Sequence, residues 1–391
     1  MTLDASLRFE TVAGSADSST DDIRWYSWLP NAYLRWQFAD RGRMTLVGGY
    51  RRSANQVNLD LLTYGDPAAP TGVVRRWFGG PAPSSAVIDR VGPGTAGDPA
   101  FSRIDTDLKR PVTDEYVVGI ESRHGNAVKL SLIGVARRET NLVNVVDVGV
   151  PISSYSTIGI PDPGVDFFSD GDDQILAIYN RLPASFGRNE YILTNPGQNA
   201  AVAYGLKFTA EGSTDRLYLL FGATAALAEG SGASRGYRPD ENDQDVPGEL
   251  FTNPNAATHA RGRLFADRAF TIKWTTAYRF PWDIRAAAVA RYQDGQPSAR
   301  LVIAPDLNQG AEAVRAFPNG RNRFTYTGTL DLRFQKGFTM GRTRLDAIVD
   351  VYNLATRSNE VDEYVVTGPD FRTPTAIEPQ RSVHAGLRVT F

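Results

Sequence analysis

The sequence predicts an all-β fold: the wall of a transmembrane antiparallel up-and-down β-barrel, with about twelve strands. Three observations lead there. Apolar and polar residues alternate in segments of about 9–11 residues, the length a tilted strand needs to cross a bilayer. No segment has a helical period of apolar residues. The connections switch between tight turns and long polar stretches, the pattern of a barrel with short periplasmic turns and long extracellular loops.

Composition narrows the choice. The 391 residues include no cysteine, which rules out disulfides, thiolate metal sites and cysteine nucleophiles. With 42 basic and 44 acidic residues the net charge is −2, so the dense positive charge needed for nucleic acid is missing. The 36 glycines and 16 tyrosines, against 3 methionines and 3 histidines, favour turns and strands. No run reaches the roughly 18 apolar residues of a membrane helix. The opening MTLDASLRFE lacks a basic n-region followed by an apolar core, so no signal peptide is read there.

The strands follow in order. The first begins near Leu3, and LVGGYR near Leu46, YVVGIES near Tyr116 and VKLSLIGVARR near Val128 repeat its alternation. VAYGLKFTA around Val202 and RLYLLFGATAA around Leu217 come next. From Ala269 to Phe280, the series Phe270, Ile272, Trp274, Thr276, Tyr278 and Phe280 opposes Thr271, Lys273, Thr275 and Arg279. From Arg323 to Gln335, Phe324, Tyr326, Gly328, Leu330, Leu332 and Phe334 share one face. From Arg344 to Tyr352, Leu345, Ala347, Val349 and Val351 oppose Arg344, Asp346, Ile348 and Asp350. The last strand sets Val383, Ala385, Leu387, Val389 and Phe391 against Ser382, His384, Gly386, Arg388 and Thr390.

Short connections are expected at 39–43, 123–127, 211–215, 280–283 and 336–342. Long, structureless loops are expected at 13–30, 53–113, 143–198, 229–267, 295–321 and 355–380. Trp36 and Phe38, Phe280 and Trp282, and Phe334 and Phe338 flank short turns, and Phe391 ends the chain on that side. Such rings suit a membrane interface, where one end is apolar and the other wet.

Charges fall opposite the apolar series: Arg279, Arg285, Arg291, Arg333 and Arg388, with Glu115, Glu121, Asp331, Asp346 and Asp350. They are expected to face the lumen, since Arg or Lys on the lipid face costs about 2–4 kcal/mol at the midplane. Pairing with one another is their simplest role; binding a plug or lining a water path are the others.

Candidates for chemistry are weak. GASRG around Ser234 matches the nucleophile-elbow pattern, but Tyr237, Arg238 and Pro239 follow where a helix is required. Two acidic clusters have oxygen ligands for calcium: Asp166, Asp170, Asp172 and Asp173, then Asp240, Glu241, Asp243 and Asp245. Neither has the spacing of a twelve-residue calcium loop, and solvated acidic loops are the plainer account. His124, His259 and His384 have no metal-ligand spacing. The chain is therefore not read as an enzyme, and no cofactor is expected.

The terminal strand resembles the outer-membrane signal read by the barrel-assembly machinery, carried by Val383, Ala385, Leu387, Val389 and Phe391. AIVDVYNLATRSNEV (347–361) with GPDFRTPTAIEPQRSVHAGLRVTF (368–391) resembles the C-terminal hairpin of TonB-dependent receptors, and PNGRNRFTYTGTLDLRFQKGF (318–338) the strand before it. DTDLKRPVTDEYVVGIE (105–121) resembles the Oar-like branch. The resemblance implies residence in a Gram-negative-type outer membrane and contact with its lipid. It also implies TonB-energised uptake of a small-molecule or peptide ligand: a metal chelate, glycan or peptide. Receptors of this kind have a signal peptide, a TonB box, a plug domain and a 22-stranded barrel. Residues 1–391 match only the C-terminal barrel part, so a fragment is expected, whose own plug and TonB act in the full-length receptor. Ligand contacts are expected in loops 53–113, 143–198 and 229–267. Rival readings are a complete twelve-stranded passive pore, an outer-membrane hydrolase using Ser234, and a soluble secreted β-protein.

Overall fold

The computed structural model describes residues 1–19, 21–38, 43–76, 87–125, 127–162, 174–197, 200–231, 254–264, 267–355 and 358–391. Twelve strands form one antiparallel wall in which sequence neighbours pair: β1 Thr2–Ser15, β2 Asp22–Phe38, β3 Met44–Ala54, β4 Val112–His124, β5 Val128–Thr140, β6 Ala201–Ser213, β7 Leu217–Ser231, β8 Phe270–Phe280, β9 Ile284–Gln293, β10 Thr327–Met340, β11 Thr343–Tyr352 and β12 Ser382–Thr390. β1 pairs only with β2, and β12 only with β11, among the described residues.

The register carries the alternation of each strand into its neighbours. One row runs Trp36, Leu46, Ile120, Leu132, Phe208, Ala223, Ile272 and Tyr292. Another runs Leu219, Thr276, Ala288, Leu332, Val351 and Val383. One face of the wall is thus apolar from edge to edge and open: Leu7 is 63% exposed, Val118 63% and Leu387 73%. No water-soluble fold leaves so large a contiguous apolar face bare, while a lipid-facing barrel surface requires it. Polar side chains bound the band. On β4, Asp114 and His124 lie at its two ends, about 33 Å apart along the strand at about 3.3 Å per residue. At a tilt of about 40° that is about 25 Å along a membrane normal, the height of an apolar barrel band.

Several expectations are corrected. The first long loop, 13–30, is mostly strand: β1 runs to Ser15 and β2 starts at Asp22. Pairing from Gly14↔Ile23 down to Thr2↔Arg35 holds both strands straight past the apolar band. The turn at 336–342 shrinks to Gly341 and Arg342, because Met340 still pairs with Thr343. Phe324 does not join the apolar face. Asn322–Arg323 pairs with Pro297–Ser298, and Phe324, 5% exposed, packs with Leu301, Val365 and Val366.

The long connections also depart from the expectation of structureless loops. They hold short strands of their own: Asn144–Asp147 and Ser102–Ile104 flank Tyr191–Thr194, Tyr155–Pro161 pairs with Ile175–Arg181, and Leu301–Ala304 pairs with Glu312–Arg315. They bury apolar side chains against one another, as in the cluster of Leu176, Ile178, Val302, Leu307, Val314 and Phe317. Segments without a helical or alternating period over many residues still reach a core when several of them meet.

Candidate functional site

At one end of the wall the loops fold over the polar face. Ile23 and Trp25 of β2 point to that face and pack with Tyr64, Ile104, Leu108 and Leu193. The Trp25 indole Nε1 donates to the Leu108 carbonyl at 2.7 Å. Arg110 closes the seam: Nε donates to the Asn55 carbonyl at 2.7 Å, one Nη to Ser27 Oγ at 3.0 Å, and the other lies 3.0 Å from the Glu10 carboxylate.

Buried polar residues join one loop to the next. The Arg181 side chain, 1% exposed, pairs with Asp89 at 3.3 Å and donates to Ser185 Oγ, the Ser185 carbonyl and Asn189 Oδ1. Asp89 also accepts from the Gly187 amide at 2.8 Å. The Arg181 amide donates to Gln309 Oε1 at 2.8 Å. Asn255 brackets Tyr179, accepting from its amide at 2.7 Å and donating to its carbonyl at 2.8 Å, and it also donates to Glu312. Arg300 pairs with Asp162, both fully buried. Residues from connections 53–113, 143–198, 229–267 and 295–321 are thereby braced into one assembly. In a dry environment each of these charges needs its partner, since an unpaired buried charge costs several kcal/mol. Sequence reasoning missed every one of them. They sit in non-periodic segments, and the partners of Arg181 include Asp89 and Gln309, roughly a hundred residues away in either direction.

Local electrostatics follow burial. Asp147 has its carboxyl pushed up by burial, partly offset by amide donors from Glu190 and Gly149. Asp105 is held down by the Thr194 hydroxyl. Burial, and then Arg315, push the His259 imidazole down.

The residues singled out in the sequence divide into groups. Val383, Ala385, Leu387 and Val389 lie on the apolar face opposite Val351, Val349, Ala347 and Leu345, and Phe391 follows the strand at its short-turn end. Among the charges, Arg333 grips Asp350 through two bonds of 2.6 and 2.7 Å, and Arg291 meets Asp331 at 2.8 Å. Asp346 is bound by Arg344 at 3.0 Å, with Arg388 its partner in register. Glu121 pairs with Arg35, and Glu115 lies between Arg51 and Arg137. Arg279 instead stands directly opposite Arg285. His124, expected in a short turn, instead ends β4 and bonds Ser122 of the same strand, and His384 lies on the polar face beside the Tyr352 ring. Ser234 and the two acidic clusters, Asp166, Asp170, Asp172, Asp173 and Asp240, Glu241, Asp243, Asp245, lie outside the described residues.

No protein-family model matches the chain, and no curated protein matches its sequence. Its fold does match solved structures. It is similar to the siderophore receptor PirA from Acinetobacter baumannii (TM-score 0.52, 13% identity, 99% of this chain and 43% of that one). It is similar to the outer membrane transporter YddB from Escherichia coli (0.51, 12%, 94% and 41%). It is also similar to the siderophore receptor PiuA from Acinetobacter baumannii (0.51, 12%, 99% and 40%). The chain spans less than half the length of each of these proteins. The twelve paired strands, with their apolar face and the loops gathered at one end, have the β-barrel fold of outer-membrane receptors and transporters.

Proposed function

We propose that the chain is part of the barrel of a TonB-dependent outer-membrane receptor, of the Oar-like kind, that takes up a scarce nutrient. The polar face is then the lumen wall, the loop assembly the extracellular mouth, and the short turns the periplasmic rim. The supporting observation is the asymmetry of the wall: one face is apolar across all twelve strands, and the other is roofed by the chain's own loops at one end only. The free backbone edges of β1 and β12 need partners in lipid, where each unpaired group costs several kcal/mol. We assign those partners, and a plug, to chain outside residues 1–391. Two of the similar folds are siderophore receptors, which favours a metal chelate as cargo over a glycan or peptide. In this reading the terminal strand with Phe391 is the signal for barrel assembly.

The test is uptake by source cells lacking this protein. Loss of uptake of one labelled metal chelate, matched by depleting TonB in the parent cells, is the expected result. Uptake that depends on the protein but persists without TonB would make it a passive pore.

A further inference from the structure

We propose that one phosphorylated lipid of the outer leaflet binds in a groove along β5 on the apolar face, with its head group on Arg138. The inference rests on the reading above that the loop end is the extracellular end. The groove has a volume of about 690 Å³. On β5 its floor is Gly134 and Ala136, small residues between taller neighbours. The register sets Tyr116 and Val118 of β4 on one side, and Tyr204 and Leu206 of β6 on the other. Strands lie about 4.8 Å apart, so these walls stand about 10 Å from each other. The four wall residues are 50–63% exposed, so the groove opens outward. Glu115, Arg137 and Lys207, which point to the polar face, do not line it.

Arg138 follows Ala136 on the same face of β5, at the end toward the loops. It is exposed and makes no ion pair among the described residues. Asp114 stands opposite it in register, but that carboxylate is engaged: Arg52 grips it with two bonds of 2.7 and 2.8 Å, and the Tyr50 hydroxyl donates to it at 2.6 Å. Two guanidiniums thus share one carboxylate, which leaves a positive charge above the groove. Other arginines at this end of the apolar face are matched, Arg24 by Asp22 and Arg263 by Glu229. Charge and shape together select the occupant. A groove in a lipid-facing wall forfeits contacts wherever no atom fills it, and water is not at hand in the hydrocarbon to do so. An acyl chain fills it. A phosphate at the rim can accept two parallel bonds from the Arg138 guanidinium, and basic side chains at a membrane surface attract anionic head groups. The distance from Arg138 to Gly134 is about 13 Å along the strand, so head and chain of one lipid meet both features.

In the experiment, the full-length protein is extracted from its native outer membrane, washed through mild detergent and weighed intact by native mass spectrometry. One retained phosphorylated lipid per protein is the expected result. Its occupancy should fall about fivefold or more in Arg138→Gln, which removes the charge. It should fall as far in Gly134→Leu, which fills the floor. A Cβ at Gly134 meets nothing nearer than 3.7 Å, so the strand has room for a side chain there. If Gly134→Leu does not reach the membrane, Ala136→Val is read instead, with the same direction expected. Ala288→Leu, on the apolar face of β9 and outside the groove, should leave occupancy unchanged. Loss of all lipid in the wash, occupancy indifferent to Arg138→Gln or to the groove variant, or an equal fall in Ala288→Leu would overturn the proposal. So would a retained lipid drawn from the inner leaflet, or a protein held at the groove in place of a lipid. Lipid retention with the expected sensitivity, in a protein whose loss leaves chelate uptake unchanged, would sink the transport reading and leave the lipid site standing.

Discussion

Arg181 lies where three connections meet, and its neighbourhood shows how single side chains hold the roof together. Its guanidinium is inaccessible to water and paired with Asp89. Arg181→Met keeps the volume but leaves the Asp89 carboxylate buried and short of a partner, a loss of about 3–5 kcal/mol for a broken buried pair. We expect proteolysis of the loop assembly in the variant while the wall stays folded, read by limited trypsin digestion in detergent. Gly149 is constrained by space: a Cβ there would stand 1.8 Å from the Arg188 carbonyl oxygen. Gly149→Ala must move backbone, so hydrogen exchange should rise along Asn144–Asp147 and its partner Tyr191–Thr194. His259 supplies a pH dependence. Its folded pKa is depressed, so it contributes stability that is present above the unfolded value of about 6.5 and lost as pH falls through the folded value. Exchange in residues 254–264 should therefore quicken as pH falls below about 6.5. His259→Asn, which also suits the positive φ of 51° there, should flatten that response.

At the scale of the strand, the controlling quantity is which face a residue occupies. Val117 and Val118 are neighbours in β4, yet Val118 belongs to the apolar row and Val117 to the polar one. Val118→Arg should destabilise the wall in lipid by about 2–4 kcal/mol, and Val117→Arg by much less, as measured by urea unfolding in vesicles. Equal effects at the two positions would contradict the assignment of faces. The strands also explain why Phe324 was misplaced by its alternation. The pattern of Phe324, Tyr326, Gly328 and Leu330 continues without a break, but the wall strand starts only at Thr327, where the last pairing with β9 is made. Period alone marks a half-buried strand and does not say which sheet it joins.

At the scale of the molecule, the open question for experiment is how the two edges are met. The proposal places further wall strands between β1 and β12. Residues 1–391 hold no cysteine, which allows a check by paired substitution: cysteines at Ser6 of β1 and Gly386 of β12 should form no disulfide with each other in the membrane-inserted protein. A disulfide would show twelve strands closing on themselves.

What the sequence determined by itself is the wall: strand number, antiparallel order, apolar face and short turns all follow from side chains that alternate with a period of two. That signal is local, because neighbouring residues of a strand point to opposite faces whatever the strand later pairs with. The turns at 123–127, 211–215 and 280–283 were legible for the same reason. Only the tertiary structure decided the roof. Pairs such as Arg181 with Asp89, Asn255 with Glu312 and Arg300 with Asp162 bring together segments far apart in the chain. No local period announces them, since each buried charge is tolerated only through a partner that the fold, and not the neighbouring sequence, supplies.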